Sequence, residues 1–317
     1  MKSHQSGSGL TNVFKLQGFI INFQREGNYK MIKKNDKPRT LMKIKAVYPF
    51  FLISFGLTWG IASWMIFFNE QFVAIFGEVS PSNPMYILAV YAPAFAAFIL
   101  VFRYYGLRGI GSYLRRLTLW RMSLGWWLFL LFGIPVLFYL ASAITGTIAD
   151  PFPFSPWHAV IPALLFMLVL GPVEEFGWRG LALPLLQRRF TPFWASVIIG
   201  IIWGIWHLPA FLIGGTPQSE WVFLPFFIAA IALSIIMTAI FNASKGSILT
   251  AALFHFQLNN PIWPDAQPWD TVLFSIVALA IVIFKRKTMF THSNAVTTIL
   301  YPGDEPPYQL TKKTVDG

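Results

Sequence analysis

Hydrophobic residues in this chain are not confined to one face of a helix or to alternate positions of a strand; they run on. Eight apolar runs, at 47–68, 85–102, 124–148, 159–186, 193–213, 222–241, 247–263 and 271–284, are separated by short polar segments. A helix that is apolar all round needs an apolar solvent, and about 20 such residues cross the hydrocarbon core of a bilayer. The first three runs meet that length comfortably, the last two are short, and the fourth is long and interrupted by charge. The pattern predicts an all-α, polytopic membrane helix bundle of about eight transmembrane helices. It divides the chain into a basic N-terminal tail at 1–46, a membrane domain at 47–287 and a polar C-terminal tail at 288–317 that is expected to be disordered. Within the first tail, the amphipathic stretch 13–23 is too short to span and is expected at the surface.

Composition agrees. Of the 317 residues, 56% are hydrophobic and only 12% charged, against about 25% charged in soluble domains. The 32 Phe and 13 Trp suit bilayer interiors and interfaces, and the absence of Cys excludes disulfides and a thiolate nucleophile. A net charge of +11 would suit a nucleic-acid binder only if it formed one stripe, and it does not. The 24 basic residues fall in the tails, in 103–123, around 179–192, at Lys245 and at 285–287, and the loops 69–84, 149–158, 214–221 and 264–270 have none. Under the positive-inside rule this alternation needs an even number of spans and puts both termini in the cytoplasm. The expected setting is a multi-pass protein of the plasma (cytoplasmic) membrane, with the bilayer as partner and no nucleic acid. The sequence carries no signal for an oligomeric state.

Ionisable side chains inside spans are costly, about 2.5–3.5 kcal/mol each on insertion scales, and therefore mark function. Of 13 acidic residues, only Glu174 and Glu175 sit inside an apolar run; of five His, only His207 and His255 do. Adjacent glutamates point about 100° apart on a helix and cannot share one task. Glu175 and Arg179 are spaced i, i+4 with the acid first, the favoured order for an ion pair, which leaves Glu174 free to face a cavity as a general base. Trp203 lies one turn before His207 on the same face, and His255 and Asn259, again i, i+4, aim into one pocket. A carboxylate, two imidazoles and an amide can activate water and stabilise an oxyanion. Taken singly, each has a plainer use: a Glu–Arg pair locks helices, a membrane His packs, and an Asn bonds a neighbour.

In these residues the sequence resembles the CAAX protease and bacteriocin-processing family of intramembrane proteases, which includes the type II CAAX prenyl endopeptidases. Glu174, Glu175 and Arg179 match its Glu-Glu-x-x-x-Arg motif, and His255 and Asn259 its His-x-x-x-Asn motif. The Phe-x-x-x-His motif reads Trp203-x-x-x-His207, with Trp in place of Phe. The resemblance covers about 171–260. It implies an endopeptidase in which Glu174 and His207 activate water, His255 and Asn259 hold the oxyanion, and Glu175, Arg179 and Trp203 support them. The implied substrate is a peptide or protein, with or without an attached lipid. No cofactor is expected; the alternative is a zinc ion on Glu174, His207 and His255, whose two His lie 48 positions apart and would have to be assembled across helices. The reading from another class is a non-catalytic membrane protein, such as a transporter, a bacteriocin-immunity factor or a scaffold, built on the same buried polar residues.

Overall fold

The computed structural model describes residues 13–16, 19–22, 32–33 and 41–305. The remainder of both tails, and the parts of the tail expectations that fall there, lie outside the described residues. The chain forms two units, Met1–Leu41 and Met42–Gly317. In the first, the amphipathic stretch contains two strands: β1 (Val13–Leu16), β2 (Phe19–Asn22) and β3 (Ile32–Lys33) make a small antiparallel sheet in the order β1-β2-β3. Four residues, as in β1 and β2, suffice for a strand but not for a stable helix.

The second unit is helical. Its principal helices are α1 (Ile44–Phe67), α2 (Ala92–Thr118), α3 (Leu124–Thr145), α4 (Trp157–Gln187), α5 (Pro192–Leu212), α6 (Phe223–Ala243), α7 (Ile248–Leu258) and α8 (Trp269–Phe284). The first six are long and apolar enough to cross a membrane; α7 and α8 are shorter apolar helices. At about 1.5 Å per residue, an 11-residue helix such as α7 reaches only about half of the hydrocarbon thickness. It is tolerated because it is inserted among its neighbours, with Phe254 and Ala251 fully buried. The outer faces of the long helices carry exposed Leu52, Phe67, Phe132 and Leu165, a surface that needs lipid rather than water.

Local chemistry sets the boundaries. Ser247 caps α7 by accepting from the Thr250 N–H at 3.0 Å, and Pro192 occupies the first turn of α5. Three connections depart from the sequence expectation. The loop at 69–84 contains a helix, Asn69–Phe76. The basic segment after 102 is helical through Thr118, interrupted at Gly106, whose φ of 66° and ψ of −166° only glycine adopts freely. The predicted fourth span is not one smooth helix. Val160–Leu170 ends at a turn over 171–173, where Pro172 offers no N–H, and the chain resumes at Glu174 with a wide turn at Trp178–Ala182.

The C-terminal tail is the largest correction. Residues 288–305 pack against the helical unit: Met289, Ile299 and Leu300 are buried, and so is Glu305. Glu305 accepts from the backbone of Ile299 at 2.6 Å and Leu300 at 3.2 Å, from Tyr105 at 2.8 Å and from Arg188 at 3.1 Å. Arg188 also donates to the carbonyls of Thr297, at 2.8 Å, and Met42. Buried Arg116 donates to the carbonyls of Gly180, Gly246 and Ile299, at 2.6, 2.9 and 2.9 Å. The sequence census of interior charge placed Arg116, Arg188 and Glu305 in loops and tails, whereas folding buries all three.

Candidate active site

Glu174 and Glu175 open the second half of α4, immediately after the break at Pro172. Both are buried, at 3% and 0% exposure, on different sides of the helix. Glu174 Oε2 accepts from the indole N–H groups of Trp178, at 3.2 Å, and Trp203, at 2.9 Å. Glu175 Oε1 accepts from Arg179 at 3.1 Å and from His255 Nδ1 at 2.7 Å. The expected Glu175–Arg179 pair is therefore present, and it is part of a three-residue bridge from α4 to α7. The Arg179 guanidinium also lies 5.0 Å from the Trp203 ring centroid, a cation–π contact in a low-dielectric setting.

The two histidines are held by their Nδ1 atoms, which frees Nε2 in each. His207 Nδ1 lies 2.8 Å from the carbonyl of Trp203, an acceptor, so Nδ1 carries the proton and Nε2 is the basic nitrogen. The ring meets Trp203 edge-on at 5.3 Å and Trp206 at 4.7 Å. His255 also meets Trp203 edge-on, at 5.6 Å. Its Nδ1 is held by the Glu175 carboxylate, which orients the ring and leaves Nε2 toward the cavity. Asn259 follows one turn later, its backbone N–H bonded to the His255 carbonyl at 3.1 Å as the helix ends. A carbon placed on Gly171 would lie 3.0 Å from His255 Nε2 and would collide with Asn259 Nδ2. The two nitrogens thus reach the same point over the break in α4, and the absent side chain of Gly171 is what lets them approach.

Glu174, His207, His255 and Asn259 all line one cavity of about 360 Å³, which continues toward Trp221 and Asp265 in the connections before α6 and α8. All four candidate residues are brought together, from α4, α5 and α7, with Trp203 between them. Sequence reasoning missed two neighbours. Trp178 was legible in principle, since it stands at i+4 from Glu174. Tyr86, on the cavity wall ahead of α2, carries no motif signal. Among the described residues, no three His, Asp or Glu side chains stand together as a metal site requires. A zinc ion on Glu174, His207 and His255 would be held by Glu174 Oε1 and the two Nε2 atoms, the atoms that the hydrogen bonds of these residues leave open.

A carboxylate, two imidazoles and an amide around a cavity within a polytopic helix bundle define the class: a membrane-embedded hydrolase. Residues 156–260, which contain every site residue, match the family described as type II CAAX prenyl endopeptidase Rce1-like. The chain is also 31% identical over 182 residues to CAAX prenyl protease 2 of Methanococcus maripaludis, a match covering 50% of this chain and 67% of that protein. This chain belongs to the CAAX protease and bacteriocin-processing family, and is an integral, multi-pass intramembrane protease.

Proposed function

We propose that the protein is an endopeptidase of the plasma membrane that cleaves a peptide bond by general-base attack of water. The observation that carries this reading is the convergence of Glu174, His207, His255 and Asn259 on a single cavity. A water between Glu174 and His207 Nε2 loses a proton to the carboxylate as its oxygen bonds to the scissile carbonyl carbon. The carbonyl electron pair moves onto its oxygen, where His255 Nε2–H and Asn259 Nδ2–H donate to it. When the C–N bond breaks, the proton held by Glu174 passes to the leaving amine. Glu175 orients His255 through Nδ1, and Arg179 fixes Glu175 through the same oxygen. No step passes through a metal.

The relatives are described as prenyl proteases, and the cavity here is largely apolar in its lining, from Met65 and Met167 to Phe226 and Leu258. We take a C-terminal peptide carrying a lipid as the substrate class of first choice. The test is mass spectrometry of a library of lipidated and unlipidated C-terminal peptides, treated with equal amounts of folded wild type and Glu174→Gln. The reading expects cleavage by wild type alone, with lipidated peptides preferred. Cleavage by both proteins removes Glu174 from the role of base. Cleavage without preference for lipid removes the substrate assignment.

A further inference from the structure

Glu174 has two carboxylate oxygens, and the protein treats them differently. Oε2 receives both indole N–H groups, from Trp178 and Trp203. Oε1 receives no hydrogen bond from the described residues. Trp178 lies on the same helix as Glu174, so its bond moves with the carboxylate; Trp203 belongs to α5 and ties the group to a second helix. Trp203 also stands where the matched motif has Phe, a ring without an N–H. Rotation of a carboxylate about its last torsion is soft and exchanges its oxygens, and two donors on one oxygen, in a low-dielectric site, oppose that exchange.

We propose that Trp203 is a positioning residue that assigns the two oxygens of Glu174, anchoring Oε2 to α5 and leaving Oε1 as the oxygen that takes the proton of the attacking water. The inference rests on the general-base reading above. Trp203 serves the second base as well, because its own carbonyl accepts from His207 Nδ1 at 2.8 Å. A single residue therefore sets the carboxylate through its side chain and the imidazole through its main chain. In the proton transfer one water O–H bond breaks, one O–H bond forms at Oε1, and the hydroxide oxygen bonds to the carbonyl carbon.

The ring packs edge-on against both histidines, so the test must remove the N–H and keep the shape. Benzothienylalanine at position 203 does this, with sulfur replacing the N–H; Trp203→Phe is the encoded counterpart. The expected result is a fall in kcat of about tenfold to a hundredfold with KM and thermal midpoint unchanged, because the ring still packs while the base is misaligned. A purely structural role would lower the midpoint or raise KM instead. The second readout is the indole ¹⁵N–¹H resonance of Trp203, which Glu174→Gln should displace. Wild-type kcat in the benzothienyl protein, or a Trp203 resonance indifferent to Glu174→Gln, overturns the proposal. Loss of the general-base reading looks different: wild type then fails to cleave, or Glu174→Gln cleaves, while the resonance still reports whether the bond exists.

Discussion

At the scale of single residues, the site is organised by the division of work between two adjacent glutamates. Their 100° separation was legible in the sequence, and so was the i, i+4 partnership of Glu175 with Arg179. The 2.7 Å contact between Glu175 and His255 was not, because the residues are 80 positions apart and one sequence carries no record of which helices meet. That contact makes Glu175 the joint of α4, α7 and the buried Arg179. Glu175→Gln should remove the carboxylate that Arg179 is bonded to and destabilise the protein by about 3–5 kcal/mol, the usual cost of breaking a buried pair from one side. Thermal or denaturant unfolding in detergent reads this, and an unfolding curve superimposable on wild type would contradict it. Gly171 gives a sharper test of the oxyanion donors. Gly171→Ala puts a methyl where Asn259 Nδ2 now sits and 3.0 Å from His255 Nε2. The expected outcome is a loss of about a hundredfold in kcat with little change in KM, since transition-state donors are displaced while substrate binding is spared.

At the scale of elements, two features carry the architecture: the broken α4 and the ordered C-terminal segment. The break at Pro172 was foreshadowed only as charge within an overlong apolar run. Its effect is to start a new helical segment at Glu174, so that the carboxylates enter at the depth of the cavity rather than on the continuous outer face of a span. The C-terminal segment was misread because polar composition is an average over the tail, whereas order here rests on a few residues. Ile299 and Leu300 fill gaps, and Glu305 gathers four donors. Since Arg188 is buried at the same point, Glu305→Ala should lower stability by about 3–5 kcal/mol and expose the segment beyond residue 288 to limited proteolysis. Wild-type resistance to a protease in the variant would show that the ion pair does not hold the segment. Cleavage per folded molecule should be affected less than by Gly171→Ala, because Glu305 does not line the cavity.

At the scale of the whole molecule, the run pattern anticipated the helical bundle and the order of its helices, and the three motifs anticipated the convergence of the site. What it did not supply were the short strands before the bundle and the helical continuation of α2 past Gly106, because both depend on local turn geometry rather than on hydropathy. The distribution of basic residues also makes a claim about orientation that chemistry can check. The chain has no Cys, so single cysteines can be introduced without a background. Ser155→Cys and Gln218→Cys should react with an impermeant maleimide from outside intact cells, and Ser293→Cys only after the membrane is opened. Labelling of Ser293→Cys in intact cells would contradict an even number of crossings with cytoplasmic termini.

The central claim is that water attacks the peptide carbonyl directly and that Glu174 takes its proton. The most direct measurement is a single turnover on one cleaved peptide in H₂¹⁸O, with enzyme in excess and wild type and Glu174→Gln compared. The account predicts one heavy oxygen in the new carboxyl group of the wild-type product and no product from the variant. Product from Glu174→Gln, or a first-turnover wild-type product without the heavy oxygen, would contradict it.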